Sequence, residues 1–199
     1  MARRTEDDLQ PVTRERILTV AAALMAQRGY RGTNLNDVAG ALDVTRQALY
    51  HHFRNKQAIL SSIFHLLFDR LLESAEQVDA FPAATRFREL FSVYIDVILE
   101  DTAIAAVAVN EYRELLDPDR HAMQKARQRY FELLENSYSA GVAAGTLLDI
   151  PPRVAVRVAI GTVNWATRWY RPDGPASPER TRSYIEQIVF TGIERADPH

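Results

Sequence analysis

The chain has 199 residues, of which 47% are hydrophobic, and a formal net charge of −2. This composition provides for a sizeable core and excludes a strongly basic protein, while the absence of cysteine excludes disulfide scaffolds and thiolate metal sites. The charge is uneven, with nine arginines and lysines against six acids in residues 1–60 and fifteen against twenty in residues 61–199. This asymmetry indicates a polyanionic partner for the first part only.

The sequence predicts a cytoplasmic protein without a membrane partner. No apolar run approaches the roughly 18–20 residues that span a bilayer. The opening "MARRTEDDLQ" has acidic residues where a secretion signal has an apolar stretch. Residues 1–12 are expected to form a flexible N-terminal arm.

Hydrophobic residues recur with a helical period along nearly the whole chain, which predicts an all-α fold. The first helix is expected to have Thr13 as its N-cap and to end at Gly29. Asn34, with Asp37 three residues later, predicts the start of a second helix. After a tight turn at "DV", Thr45 is expected to cap a short third helix.

Three short helices, the last two joined by a tight turn, are typical of a helix-turn-helix unit, whose last helix lies in the DNA major groove. Arg46 and Gln47 lie at the start of that helix, where they can make paired hydrogen bonds to guanine and adenine. Four neighbouring donors are predicted to contact phosphates: Thr45, Tyr50, His51 and Lys56.

The adjacent His51 and His52 raise two other interpretations, a metal site and a catalytic pair. Neighbouring side chains on a helix point about 100° apart, so they cannot chelate one metal without distortion. The stretch "DVTRQALYHHF" offers no nucleophile or orienting carboxylate for a catalytic histidine. We therefore expect no metal, no cofactor and no catalytic residue.

Residues 17–60, "ILTVAAALMAQRGYRGTNLNDVAGALDVTRQALYHHFRNKQAIL", resemble the DNA-binding domain of the tetracycline-repressor (TetR) family. The resemblance rests on "RGY", on the "D-V-A" helix start, on "V-T-x-x-x-L-Y-x-H-F" and on the closing "N-K". One departure is Asp43, where the family usually has glycine. Because Asp tolerates a left-handed backbone better than most residues, we expect the turn to survive.

The resemblance implies roles for individual residues. Arg46 and Gln47 occupy positions of base contact, which Asn36 on the preceding helix sometimes joins. Thr45, Tyr50, His51 and Lys56 occupy phosphate-contacting positions, and so does Thr33 or Asn34 at the start of the second helix. His52 and Phe53 are expected to pack under the third helix. The implied domains are a helix-turn-helix domain at 13–56 and an effector-binding and dimerisation domain at 57–199.

Six more helices are expected after the first three, which matches the nine-helix design of the family. Prolines in "FPAATRF" and "PDGPASP" separate some of them. In the family, the last two helices pair with those of a second subunit. The penultimate helix is rich in Val, Ala, Ile and Gly, and the last contains Tyr184, Ile185, Ile188, Val189 and Ile193. This excess of small and apolar residues is consistent with a homodimer, which would also place two recognition helices on the half-sites of a palindromic operator.

Two polar groupings are candidates for effector binding. In "NWATRWYRPDGP", helical spacing places Trp165, Arg168 and Trp169 on one face. In "AIAAVAVNEYRELL", an otherwise apolar helix is interrupted by three polar residues, Asn110, Glu111 and Arg113. The first segment is similar to one in regulators of lipid and steroid breakdown that respond to acyl-coenzyme A thioesters. In the alternative interpretation, the tryptophans belong to the core or the dimer interface.

The leading hypothesis is a dimeric repressor that binds a palindromic operator and is released by a small hydrophobic effector, with a lipid- or steroid-derived acyl-CoA as the candidate. The first alternative is a repressor of a drug-efflux gene with a drug-like effector. A helical hydrolase is the second, although the chain has no G-x-S-x-G or H-E-x-x-H motif. A structural DNA-packaging protein is the third, and the acidic body argues against it.

Overall fold

The computed structural model describes residues 12–78 and 80–193, so most of the predicted N-terminal arm lies outside the described residues. Within the described ranges the regular structure is helical, which confirms the all-α prediction with nine helices. They are α1 (Arg14–Arg28), α2 (Leu35–Leu42), α3 (Arg46–Tyr50), α4 (Lys56–Val78), α5 (Ala83–Glu100), α6 (Thr102–Asn110), α7 (Asp119–Ala143), α8 (Pro152–Trp169) and α9 (Pro178–Ile193). None of the helices in this part of the chain is both long and apolar enough to cross a bilayer.

The ends of the first helices are set by their side chains. The Thr13 hydroxyl accepts a hydrogen bond from the Arg16 amide, and α1 ends at Gly29, whose positive φ of 75° suits glycine. At the start of α2, the Asn34 side chain accepts from the Asp37 amide and the Asp37 carboxylate accepts from the Asn34 amide. This capping box satisfies donors that a helix start leaves unpaired.

The turn between α2 and α3 has a left-handed residue, as the sequence predicted. Asp43 lies at φ 57° and ψ 43°, and its amide donates to the carbonyls of Ala39 and Gly40. Thr45 then caps α3 by accepting from the Ala48 amide at 3.2 Å. The turn therefore tolerates Asp in place of the usual glycine.

Helices α1 to α3 form a unit that we call the head, and its buried side chains belong to the same hydrophobic core as those of the other helices. Ile17 of α1 and Leu49 of α3 are fully buried, and Phe53 closes the core below α3. The Arg14 guanidinium lies 4.1 Å from the centre of the Phe53 ring and donates to the His52 carbonyl. Because Leu49 anchors one side of α3 in the core, the opposite side of the helix faces solvent.

Helices α4 to α9 form the body around α5, which packs against α4, α7, α8 and α9. Four rings, Phe87, Phe91, Tyr138 and Phe190, meet in mostly edge-to-face contacts at the base of the body. Helix α4 contacts both α1 and the body, and α6 lies against α1 on one side and α8 on the other. The head is therefore joined to the body through α4 and α6.

One face of α8 and α9 carries exposed apolar side chains. Ile188, Val158 and Trp165 are 69%, 64% and 63% exposed, whereas other apolar residues of these helices, such as Val163 and Ile185, are buried. We call this face the α8–α9 stripe and define it by six residues: Val154, Val158, Trp165, Trp169, Tyr184 and Ile188. A contiguous apolar face of this kind marks an interaction surface.

Candidate nucleic-acid interface and ligand cavity

The exposed side of α3 brings together most of the residues that were predicted to contact DNA. Thr45, Arg46, Gln47, Tyr50 and His51 are all exposed, on a helix whose opposite side is anchored by the buried Leu49. Donors with this placement can contact base edges and phosphates together. The geometry thus matches the row of hydrogen-bonding groups that the sequence predicted.

Arg46 and Tyr50 contact each other one helical turn apart. Two guanidinium nitrogens of Arg46, Nη2 and Nε, donate to the Tyr50 hydroxyl at 2.7 and 3.1 Å. The Arg46 Cζ lies 5.4 Å from the centre of the Tyr50 ring. Tyr50 therefore orients Arg46 in addition to presenting a hydroxyl of its own.

The start of α2 contributes fewer contacts than predicted. Asn34 and Asn36 are exposed, and the Asn34 side-chain oxygen accepts from the Asn36 and Asp37 amides, so its NH2 group faces other partners. Thr33, by contrast, is only 1% exposed and its hydroxyl donates to the Gly29 carbonyl. Of the two residues predicted to contact a phosphate at the start of α2, Asn34 is therefore the exposed one, and the contact itself stays a prediction.

Lys56 is used inside the protein. Its ammonium donates to the carbonyls of Tyr30 and Thr33 at 2.7 and 2.8 Å and lies 3.9 Å from the centre of the Tyr30 ring. Burial lowers the pKa of Lys56, with Glu114 and Glu111 acting in the opposite sense. Two of its three protons are thus occupied, so Lys56 ties the α1–α2 loop to the start of α4, and its phosphate contact stays a prediction.

A hydrogen-bonded junction connects the head to the short 3-10 helix Tyr112–Glu114, which follows α6. Arg31 pairs with the Glu114 carboxylate at 3.0 Å, and this pairing raises the pKa of Arg31. Gln57 donates to the Glu114 carbonyl and accepts from the Tyr30 hydroxyl. These contacts join the segment that follows α6 to the α1–α2 loop and to the start of α4.

The body contains a cavity of about 220 Å³ between α4, α5, α6, α7 and α8. Its walls are mostly apolar and aromatic: Phe64, Leu67, Phe68, Leu71, Tyr94, Ala108, Val109, Tyr112, Arg127, Tyr130, Phe131, Ile160 and Asn164. The Tyr94 hydroxyl donates to the Asn164 side-chain oxygen at 2.6 Å. Burial raises the pKa of Tyr94, so the phenol stays neutral and the cavity offers neutral polar groups in an apolar setting.

None of the six predicted effector-binding residues lines this cavity, and their role stays a prediction. Trp165 and Trp169 belong to the exposed α8–α9 stripe, and Glu111 and Arg113 lie at the junction with the head. Asn110 and Arg168 come closer. Asn110 follows the lining residue Val109, Arg168 lies one turn beyond Asn164, and the Arg168 Nη2 is 3.5 Å from the Asn110 Oδ1.

Sequence reasoning missed the lining residues Tyr94, Arg127 and Asn164. Asn164 carried a usable signal, since it is a polar residue on the face of α8 that contains the buried Val156, Ile160 and Val163. Tyr94 and Arg127 lie on α5 and α7, and nothing in their local patterns indicates that they meet α8. Only the packing of the body brings them together.

Family models match both parts of the chain. Residues 17–63 match the bacterial regulatory proteins of the tetR family, and residues 80–193 match the tetracyclin repressor-like C-terminal domain. With its helix-turn-helix head and helical ligand-binding body, the protein is a transcriptional regulator in class. The chain belongs to the TetR family.

Individual relatives cover nearly the whole chain. The HTH-type transcriptional repressor KstR2 of Rhodococcus jostii is 28% identical over 190 residues, which are 94% of this chain and 92% of the relative. The solved structure of the ketosteroid regulator KstR2 of Mycobacterium tuberculosis has the same fold, with a TM-score of 0.85, 24% identity and coverage of 94% and 98%. AibR in complex with isovaleryl coenzyme A and operator DNA is similar with a TM-score of 0.76, 26% identity and coverage of 89% and 97%.

Proposed function

We propose that the protein is a dimeric transcriptional repressor that binds a palindromic operator through α3 and leaves it when an acyl-CoA thioester of lipid or steroid origin occupies the body cavity. One observation carries the proposal. The exposed donors of α3 belong to a head that is tied to two of the helices that line the cavity, to α4 through Lys56 and to α6 through Glu114 of the 3-10 helix that follows it.

For operator recognition, Arg46 and Gln47 are assigned to base edges. Thr45, Tyr50, His51 and Asn34 are assigned to phosphates, and Asn36 to the groove beside α2. The charge distribution supports this assignment, because residues 1–60 are net positive and residues 61–199 are net negative. Binding of this kind weakens with salt as phosphate contacts release counterions.

The proposed dimer forms through the α8–α9 stripe. Its aliphatic and aromatic residues are exposed in one subunit, and the same face of a second copy would bury them in a two-fold symmetric interface. A two-fold dimer also places two α3 helices on half-sites about one turn of DNA apart. Each subunit then reads one half of the palindrome.

The proposed effector class follows from the cavity and from the relatives. An apolar enclosure of about 220 Å³ with the neutral Tyr94–Asn164 pair suits an acyl group that carries few polar atoms. Among similar proteins, KstR2 is named a repressor and a ketosteroid regulator, and AibR has been solved with isovaleryl coenzyme A and operator DNA. These names support a thioester effector for this chain.

Release is proposed to follow from the shared use of α4 and α6. Phe64, Leu67 and Leu71 of α4 and Ala108 of α6 all line the cavity, so a bound acyl group changes the position of both helices. The start of α4 holds the α1–α2 loop through Lys56. The two heads of a dimer then no longer match the spacing of the half-sites, and the affinity for the operator falls.

The experiment is fluorescence anisotropy of the protein on DNA from upstream of its own gene, titrated with long-chain and sterol-derived acyl-CoA thioesters and with hydrophobic drugs. The proposal expects salt-sensitive binding that one thioester class abolishes. Release by a drug and by no thioester would instead support the efflux-gene alternative. Hydrolysis of the thioester by the protein would support the hydrolase alternative.

A further inference from the structure

A second depression, a groove of about 490 Å³, lies between α7 and the first half of α8. It is lined by Gln124, Arg127, Gln128, Phe131, Glu132, Glu135, Arg153 and Arg157. Arg127 and Phe131 also line the body cavity, so the two spaces share a wall. We call this depression the α7–α8 groove.

The groove and the cavity lie along the same face of α8. Arg153, Arg157, Ile160 and Asn164 succeed one another at intervals of four, three and four residues, which places them on one face of the helix. The first two line the groove and the last two line the cavity. At 1.5 Å per residue, Arg157 and Arg153 lie about 10 and 16 Å along the axis from Asn164.

The groove is lined by three arginines and two glutamates, and two of the arginines lie at the start of α8. Arg153 and Arg157 lie in the first two turns of α8, where the helix dipole disfavours cations. Across the described ranges, neither side chain has an ion-pair partner. Arg127 adds a third guanidinium, and Glu132, which accepts from Gln128 at 2.8 Å, and Glu135 offset two of the three charges.

We propose that the α7–α8 groove binds the phosphate-bearing end of the effector, with Arg153 and Arg157 on the phosphates and Arg127 at the passage to the cavity. This inference rests on the proposed function, because it requires an effector with an apolar end and a polyanionic end. Guanidinium forks are suited to phosphate oxygens, and the positive end of α8 adds to the attraction. The amides of Gln124 and Gln128 provide hydrogen bonds for a polar linker between the two ends.

Arg168, at the other end of the cavity, is an alternative candidate for binding the phosphates of the effector. Arg168 is one of the predicted effector-binding residues, but its guanidinium lies 5.4 Å from the centre of the Trp165 ring and within 3.5 Å of Asn110. Arg153 and Arg157 have no such contacts. The groove is therefore the better placed of the two sites, and variants can separate them.

The test compares a double variant, Arg153→Gln with Arg157→Gln, with two controls, Arg168→Gln and Arg129→Gln. Arg129 is an exposed α7 arginine near Glu76 and does not line the groove. Each protein is bound to the operator and released with an acyl-CoA or with the matching acyl-pantetheine, which lacks the phosphates. Unchanged operator affinity and an unchanged circular dichroism spectrum establish that each variant is folded, and the single variant Arg157→Gln replaces the double one if it is not.

We expect the double variant to need about tenfold to hundredfold more acyl-CoA for release, from the loss of two charged hydrogen-bond donors, and to respond to acyl-pantetheine like the wild type. Both controls should keep their acyl-CoA response. An unchanged acyl-CoA response in the double variant, or a loss confined to Arg168→Gln, would overturn the groove while leaving the proposed function intact. A wild type that no thioester releases would overturn both the effector class and the groove.

Discussion

The Tyr50 hydroxyl accepts two hydrogen bonds from the Arg46 guanidinium, at 2.7 and 3.1 Å, on the exposed side of α3. The pair joins a residue assigned to a base with a residue assigned to a phosphate. Tyr50 therefore holds Arg46 in position before DNA arrives, which lowers the side-chain entropy lost on binding.

Replacement of Arg46 by alanine is expected to weaken operator binding by about 1–3 kcal/mol and to relax the preference at one position of each half-site. The reason is the loss of a paired hydrogen bond to guanine. Anisotropy on the operator and on operators with single changes measures both effects. Tyr50→Phe is the matched control: it keeps the ring beside Arg46 but removes the acceptor, so it should lower affinity without changing the preferred base. Equal losses on operator and random DNA in Arg46→Ala would count against base readout.

Lys56→Met is expected to reduce the free energy of unfolding by about 1–3 kcal/mol, because it leaves the carbonyls of Tyr30 and Thr33 without their donor. The slope of operator affinity against salt should stay close to that of the wild type. Chemical denaturation and anisotropy in a salt series measure the two quantities.

Lys125, the other lysine of the chain, is exposed on α7 and provides the control. Lys125→Met should change neither quantity. If Lys56→Met lowers the salt slope by about one unit at unchanged stability, Lys56 is a phosphate contact after all.

Ile188→Arg should convert the dimer to monomers, since it places a charge at the most exposed apolar position of the α8–α9 stripe. Operator affinity should fall with it, because one head alone contacts one half-site. Light scattering during gel filtration reports the mass. Leu116→Arg, at another exposed apolar residue outside the stripe, should remain dimeric; a dimeric Ile188→Arg protein would place the interface elsewhere.

The tryptophans provide an independent measure of the same interface. Trp165 and Trp169 are the two tryptophans of the chain, and both are more than half exposed in one subunit. Their emission should be shifted to shorter wavelength in the wild-type dimer and to longer wavelength in Ile188→Arg. Identical spectra at equal concentration would show that the stripe stays open to solvent in both proteins.

Ala108→Phe is expected to abolish the response to the effector while leaving operator binding intact. The added ring enters the cavity of about 220 Å³ from α6 and removes the space for an acyl group. Repeating the thioester titration on this variant measures the effect, with the exposed Ala122→Phe on α7 as the control. Normal release of Ala108→Phe by the wild-type effector would show that the ligand binds outside this cavity.

Local patterns were sufficient for the head of the protein. Thr13, Asn34 and Thr45 cap helices through contacts with residues two or three positions away, so their role can be derived from the sequence alone. The left-handed Asp43 follows from the same local chemistry. The carbonyl contacts of Lys56 could not be derived in this way, because they depend on the α1–α2 loop folding back on the start of α4.

The ligand cavity depended on packing between distant elements. Tyr94 and Asn164 are 70 residues apart and their hydrogen bond exists only because α5 and α8 are neighbours. The tryptophans of "NWATRWYRP" lie on α8, which also lines the cavity, but on its exposed face. A helical period shows which residues share a face, and it does not show which of two apolar faces meets the core and which meets a partner.

Operator reading by the exposed donors of α3 is tested most directly by selecting bound fragments from genomic DNA with the wild-type protein and with Arg46→Ala in parallel. We expect the wild type to enrich a palindrome with half-sites about one helical turn apart, and Arg46→Ala to lose the preference at one symmetric pair of positions. Enrichment of DNA without two-fold symmetry, or an identical motif from both proteins, would contradict it.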